Sequence, residues 1–222
     1  MGFSFLSEAL LKHALPVTTW EPLVTKLGYA VGFLIVVLGR QQLFTENTLT
    51  VILPLLLRKT ARVSVAVLRL WGIVFAANLV GALIFALVLA KTSMVDPEIR
   101  HVLDQIGSSA GAESFGVTML RAVFAGWLIA LMVWLLPAAE SARIWVIIFL
   151  TYLVGLGHFP HIIAGAVEMF YMAVTGLRSW SEITIGYMLP TLIGNTIGGV
   201  ALVAALAHAQ IVGDKEKQDE EM

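Results

Sequence analysis

The sequence predicts an all-α integral membrane protein, a helical bundle built from an inverted repeat with two interrupted helices. Three observations carry this. The 222 residues are 59% hydrophobic and only 13% charged, with a mean hydropathy of +0.88; a soluble domain carries roughly 25% charge. Two apolar stretches are broken by polar residues and helix breakers where a membrane helix should continue: Gly39-Arg40-Gln41-Gln42-Leu43-Phe44-Thr45-Glu46-Asn47 and Gly155-Leu156-Gly157-His158-Phe159-Pro160-His161. The breaks recur in register, with Asn78 thirty-four residues after Phe44 and Asn195 thirty-four after His161, each opening an Asn-x-x-Gly-small motif. Broken helices at matching places in two halves point to a substrate path near the membrane midplane.

A span needs about 20 apolar residues, because the hydrocarbon core is ~30 Å thick and a helix rises ~1.5 Å per residue. Residues 3 to 15 are apolar but cover only about 20 Å as a helix. Two readings compete: an interfacial helix, or the end of a first span whose beginning is missing. The repeat favours the second, since the later half has three helices. Val24 to Leu38 then runs into the first break, and Leu49 to Leu57 leaves it. Ser64 to Ala90 is a long span after the basic turn Arg58-Lys59-Thr60-Ala61-Arg62. Lys91 to Glu113 reads as a polar connection, Phe115 to Leu136 as a span and Pro137 to Arg143 as a turn. Ile144 to Val154 enters the second break, Ile162 to Thr175 leaves it, and Gly176 to Glu182 turns the chain. Ile185 to Ala207 is the last span. Residues 1–212 thus make one transmembrane domain, followed by a charged tail, 213–222, predicted to be disordered. The helices carrying Asn78 and Asn195 should occupy equivalent positions about a pseudo-two-fold axis in the membrane plane.

Basic loops orient the chain. Arg58, Lys59 and Arg62 mark a cytoplasmic turn. Residues 91–113 and 178–182 then lie outside, and 140–143 and the tail inside. The net charge of −1 gives no case for nucleic acid, and there is no cysteine for disulfide or thiol chemistry. The chain shows no secretory signal pattern, zinc, P-loop or Rossmann signature, and no nucleophile–base set, so no metal, organic cofactor or enzymatic role is expected.

Non-helical backbone at membrane depth must line a cavity or be buried in protein, because an unpaired backbone group costs several kcal/mol there. Both breaks are therefore candidate pore walls. Leu43 and Phe44 supply apolar bulk and Thr45 a hydroxyl, a set that excludes hydrated ions at a narrow point; the competing reading is plain packing. His161 follows Pro160 where a new helix starts. Its imidazole can donate to an anion or titrate near neutral pH, or be a core histidine satisfied by the backbone. His158 packs or caps the broken backbone. Arg40 and Glu46 flank the first break, and Glu168 lies seven residues past His161, on about the same helix face. Intramembrane charges pair, so Arg40 is expected to pair with Glu46 or Glu168. Arg69 and Arg121 snorkel or pair. Asn78 and Asn195 hold helices together or support the free carbonyls of the breaks, and Gly81, Gly198 and Gly199 allow close approach.

Four segments taken together resemble the formate/nitrite transporter family: Gln42-Leu43-Phe44-Thr45-Glu46-Asn47, Gly126-Trp127-Leu128-Ile129-Ala130-Leu131-Met132-Val133-Trp134, Pro160-His161-Ile162-Ile163-Ala164 and Gly194-Asn195-Thr196-Ile197-Gly198-Gly199. They fall in family-like order and span most of the chain. The resemblance implies an aquaporin-like protomer of six helices, the second and fifth interrupted, in a homopentamer with one path per protomer, embedded in the lipid bilayer of a bacterial inner membrane. It places Leu43, Phe44 and Thr45 in a mobile pore loop and makes His161 the central pore histidine. It implies transport of a small monovalent weak-acid anion, formate or nitrite, channel-like or proton-linked, without a cofactor. Three features depart from the family. The vestibule lysine expected near Ala110–Gly111 is missing, Gly165 stands where the family has asparagine four residues after the pore histidine, and most of the first helix is absent. The alternatives are an aquaporin-like channel for neutral solutes and an inactive, truncated membrane protein.

Overall fold

The computed structural model describes residues 1–50, 52 and 60–220. Most of Leu49–Leu57, and Arg58 and Lys59 of the basic turn, lie outside them. The helices are α1 (Gly2–Ala14), α2 (Glu21–Thr25), α3 (Leu27–Leu38), α4 (Phe44–Thr50), α5 (Ala61–Lys91), α6 (Pro97–Ala110), α7 (Phe115–Leu135), α8 (Arg143–Leu156), α9 (Ile162–Val174) and α10 (Leu189–Glu220), the last entered through a π-helical turn at Glu182–Met188. Among the described residues, four stretches are long and apolar enough to cross a membrane: Glu21–Leu38, Ala61–Lys91, Phe115–Leu135 and Glu182–Leu202. The shorter apolar helices α8 and α9 flank the second break. Along α5, Val65, Leu68, Ile73, Val80 and Ile84 are all exposed, an apolar face suited to lipid or to a neighbouring helix.

Helix α1 packs into the bundle against α3, α6 and α9. Ser4, Phe5, Glu8 and Ala9 are buried. Two glycines one turn apart on α3 make room for it. A Cβ at Gly28 would lie 2.6 Å from the Glu8 backbone nitrogen, and one at Gly32 2.9 Å from Met1 Cα. Ser4 Oγ donates to Tyr29 O (2.6 Å) and accepts from Gly32 N (3.1 Å), fixing the crossing.

The segment 91–113 is more than a polar connection. Pro97 follows Asp96 and pre-sets the first turn of α6. Ile99, Leu103, Ile106 and Gly107 then fall on one buried stripe, packed on α1 and α9. The tail also differs from expectation: α10 continues to Glu220. Past Gly213 the sequence is Asp-Lys-Glu-Lys-Gln-Asp-Glu, rich in straight-chain helix formers and free of proline.

Helices α7 and α10 form the most extensive contact in the bundle among the described residues. Their backbones touch at glycine. A Cβ on Gly126 would sit 2.2 Å from Asn195 O, and one on Gly198 2.0 Å from Val123 O. Gly199 faces Thr48 of α4, with Oγ1 2.2 Å from a Cβ. Gly81, the partner of Gly198 in the repeat, meets nothing within 4 Å. Gly198→Val should therefore force α7 and α10 apart, costing about 3 kcal/mol or more, while Gly81→Val costs little. Comparing the yield of monodisperse protein after detergent extraction checks this; equal yields would contradict the close-packed reading.

Candidate functional site

Each break begins with the same turn. Helix α3 ends as Gln41 N donates to Val36 O (2.9 Å) and Arg40 N to Val37 O (3.1 Å). Helix α8 ends as Phe159 N donates to Val154 O (3.0 Å) and His158 N to Gly155 O (3.1 Å). This is the Schellman pattern, whose pivotal residue must be left-handed and is usually glycine. Here the pivots are Arg40 (φ 51°) and His158 (φ 50°), each carrying about 1 kcal/mol of backbone strain. Both side chains are exposed. The breaks are narrower than the sequence suggested, because Phe44, Thr45, Glu46 and Asn47 already belong to α4.

An asparagine then closes each break in the same way. Asn78 Oδ1 accepts from Phe44 N (3.0 Å) and its Nδ2 donates to Gln42 O (3.0 Å). Asn195 Oδ1 accepts from Ile162 N (2.8 Å) and its Nδ2 donates to Pro160 O (2.9 Å). Each amide thus satisfies an orphan donor at a helix start and an orphan carbonyl of the loop, the groups that a break exposes. Asn195 adds a third bond, to Ala122 O of α7 (2.8 Å). The repeat is therefore in register at Phe44 and Ile162, not at Phe44 and His161. The spacing to asparagine is thirty-four residues in one half and thirty-three in the other.

The two halves meet at Thr45 and His161. Thr45 Oγ1 lies 2.7 Å from His161 Nε2, and both side chains are buried, at 0% and 1% exposure. His161 also caps α9: Ala164 N donates to its Nδ1 (3.2 Å). A ring nitrogen that accepts a backbone N–H carries no proton, so in the neutral ring Nε2 holds it and donates to Thr45. The ring packs edge-on to Phe33 of α3, with centroids 5.1 Å apart. Leu43 is 2% exposed. Phe44 turns away onto α5, edge-on to Trp71 with centroids 5.9 Å apart and tilted against Phe75 at 5.0 Å.

A cavity of about 280 Å³ reaches His161 from the side of the 91–113 segment. Glu8, Lys26, Tyr29, Arg121, Glu168 and Tyr187 are in its wall, with His158 near them. Lys26 pairs with Glu8, and Arg121 pairs with Glu113 at 2.8 Å. A second, mostly apolar cavity of about 570 Å³ is lined by Leu43, Gln42, Asn78, Ile163 and Val167. Arg40 and Glu46 line a third, beside Arg143.

Arg40 therefore forms no ion pair with Glu46 or Glu168 among the described residues. Arg40 is an exposed pivot, and Glu168 lies in the wall of a different cavity. The missing cation near Ala110–Gly111 is partly replaced in space. Arg178 donates to Gly111 O (2.6 Å) and Ser108 O (3.0 Å), capping the carbonyl end of α6. Lys26 puts a second cation in the cavity wall. Gly165 is not an empty place either: a Cβ there would sit 2.0 Å from the Tyr187 hydroxyl. Tyr29, Tyr187, Glu8 and Lys26 carried no signal in the sequence. They converge only because α1, α3, α9 and the π turn surround one space. No group of three or more metal-ligating side chains occurs among the described residues.

Six apolar elements around two capped breaks, meeting at one buried histidine, define a membrane transport protein. Comparison with known proteins agrees. The formate/nitrite transporter profile matches residues 1–209. The chain is 39% identical over 214 residues to the inner membrane protein YfdC of Escherichia coli (strain K12), covering 96% of this chain and 69% of that one. It is 28% identical over 193 residues to the formate channel BtFdhC of Bacillus thuringiensis, covering 83% of this chain and 72% of the other. Its fold is similar to that of a pentameric formate channel solved with formate bound, at a TM-score of 0.81 and 18% identity, covering 95% of this chain and 92% of that one. The chain belongs to the formate/nitrite transporter family. The fold is the aquaporin-like helical one, and the coarse function is anion transport across a membrane, which disfavours the neutral-solute channel and the inactive product.

Proposed function

We propose that the chain conducts a small monovalent weak-acid anion, formate or nitrite in size and charge, through a constriction formed by Thr45, His161 and Leu43. The observation that carries this is the 2.7 Å contact of Thr45 with His161. It joins the two breaks of the repeat in a fully buried layer that one cavity reaches. A bare anion is costly to hold among apolar side chains. A hydroxyl and an imidazole offer it donors there. The starts of α4 and α9 add the positive ends of two helices. A proton travelling with the anion lowers the cost further. The resident of this path is a solute, not an enzyme substrate, and no cofactor is required.

Five copies, each with its own path, in a bacterial inner membrane are the assembly we propose. The exposed apolar face of α5 and the fold shared with the pentameric formate channel support it. Purified full-length chain in proteoliposomes should take up formate and nitrite with a co-directional proton signal, and reject glycerol. Glycerol flux without anion flux would overturn the reading.

A further inference from the structure

The cavity that reaches His161 holds polar groups that the Thr45–His161 pair does not use. Glu168 stands two turns beyond His161 on α9 and is 8% exposed. Tyr187, 4% exposed, lays its hydroxyl over Gly165, one turn before Glu168. It comes from the π-helical turn Glu182–Met188, and π turns widen a helix locally, often at functional sites. Tyr29, 7% exposed, sits one turn before Phe33, the residue against the His161 ring. Among the described residues, neither tyrosine hydroxyl nor the Glu168 carboxyl makes a hydrogen bond, and all three residues line the same cavity. Polar groups that line a cavity and have no protein partner are free to bind a small polar guest.

The charges around Glu168 narrow the guest. Glu8 of α1 and Lys26 before α3 lie within its electrostatic reach, and these two pair with each other. Tyr29 and Tyr187 face it from α3 and the π turn. Asp104 of α6 is taken by Tyr171 Oη at 2.9 Å. His158 and the Arg121–Glu113 pair also line the cavity, and His161 is bonded through both ring nitrogens. Among the described residues, no cation is left for Glu168 alone. An anion arriving beside an ionised Glu168 would put two like charges in contact, and such pairs hold one proton between them. The resulting O–H···O⁻ bond is short and strong, and the two tyrosine hydroxyls can donate to the remaining oxygens. The conjugate base of a weak acid can take its share of that proton. Chloride or nitrate cannot.

We propose that Glu168, flanked by Tyr29 and Tyr187, is a proton-sharing station that admits the anions of weak acids, and not of strong ones, to the His161 constriction. The inference rests on the transport reading given above. In the transfer step the O–H bond of the Glu168 carboxyl breaks and an O–H bond forms on the anion. This leaves a Glu168 carboxylate and the neutral acid, which moves on to Thr45 and His161. A proton from the water of the vestibule then returns to Glu168, so one proton travels with each anion.

The test uses the full chain in proteoliposomes with an internal pH dye, and sodium formate and sodium chloride as probes. Wild type should take up one proton per formate and exclude chloride. In Glu168→Gln, formate flux should fall and lose its dependence on external pH, while chloride permeability rises by about tenfold or more, the penalty of one lost like-charge contact. Tyr187→Phe should weaken formate uptake and keep chloride out. Formate binding to wild type in detergent, titrated in buffers of different ionisation enthalpy, should show proton uptake, and this decides the matter even if Glu168→Gln fails to fold. Wild type that binds formate without taking up protons overturns the proposal. So does a folded Glu168→Gln that keeps the wild-type pH profile and chloride rejection. Wild type that moves no weak-acid anion overturns the transport reading as well, and does so before any variant is compared.

Discussion

Asn195→Ala destabilises the protein far more than Asn78→Ala. The Asn195 side chain is fully buried and makes three hydrogen bonds, to Ile162 N, Pro160 O and Ala122 O. Alanine leaves one donor and two carbonyls without partners at membrane depth. Each buried group left unpaired costs about 1–3 kcal/mol, so the loss is about 3–5 kcal/mol. It also cuts the tie between the second break and α7, at the point where Gly126 touches the Asn195 backbone. Asn78 makes two such bonds, to Phe44 N and Gln42 O, beside an open cavity. Water or neighbouring groups can reach its partners, and about 1–2 kcal/mol is expected there. Apparent melting temperature in detergent measures both. A drop of about 5–10 °C or more for Asn195→Ala, and less than half of that for Asn78→Ala, is the expected result. Equal drops would mean that the two brackets carry the same load despite their different burial.

The breaks were legible because a membrane helix has few reasons to hold Gly, Gln, His and Pro in its middle. Their pairing with Asn78 and Asn195 was legible too, since an amide at a fixed distance after each break is a pattern. The one-residue error in register was not avoidable. The first break has five residues between its helices, Gly39 to Leu43, and so does the second, Gly157 to His161. The difference of one residue is absorbed later, between the break and the asparagine, and no local signal marks it. The pivots Arg40 and His158 gave no sign either, because the left-handed turn they make normally asks for glycine. Arg40 and Glu168 do not pair because they line different cavities, and sequence distance along a broken helix says nothing about which cavity a side chain enters. Helix α6 could have been found. Ile99, Leu103 and Ile106 recur at helical spacing behind Asp96-Pro97, but the charged residues between them dominated the reading. Tyr187 could not, as a π turn has no sequence signature.

These points bear on what is specific to this chain within its family. At Gly165, four residues after His161, α9 carries no side chain, and the π turn brings the Tyr187 phenol into that volume. Gly165→Asn alone therefore does not restore the family arrangement, because Tyr187 is already there. The vestibule likewise draws its cations from Lys26 and Arg121.

His161→Phe should abolish the pH dependence of uptake, and the structure adds that it should also cost stability. Both ring nitrogens are engaged, Nε2 with Thr45 Oγ1 and Nδ1 with Ala164 N. Phenylalanine keeps the bulk and the edge-on contact with Phe33, so no large cavity opens. It leaves the Ala164 N–H and the Thr45 hydroxyl buried without partners, at about 1–3 kcal/mol each. A lower melting temperature in this variant is therefore not evidence against a transport role, and a second variant is needed to separate the two. His161→Asn provides it. Asparagine is among the best helix N-caps and can accept from Ala164 N through Oδ1, which should return the cap and leave only the lost Thr45 bond, at about 1–3 kcal/mol. It has no titrating ring and is too short to reach Thr45 as the imidazole does. Uptake of formate against pH, paired with melting temperature, should show His161→Asn more stable than His161→Phe and close to it in its flat pH profile. Should His161→Asn keep the wild-type pH profile, the imidazole is a helix cap only, and the pH dependence belongs to the Glu168 station alone.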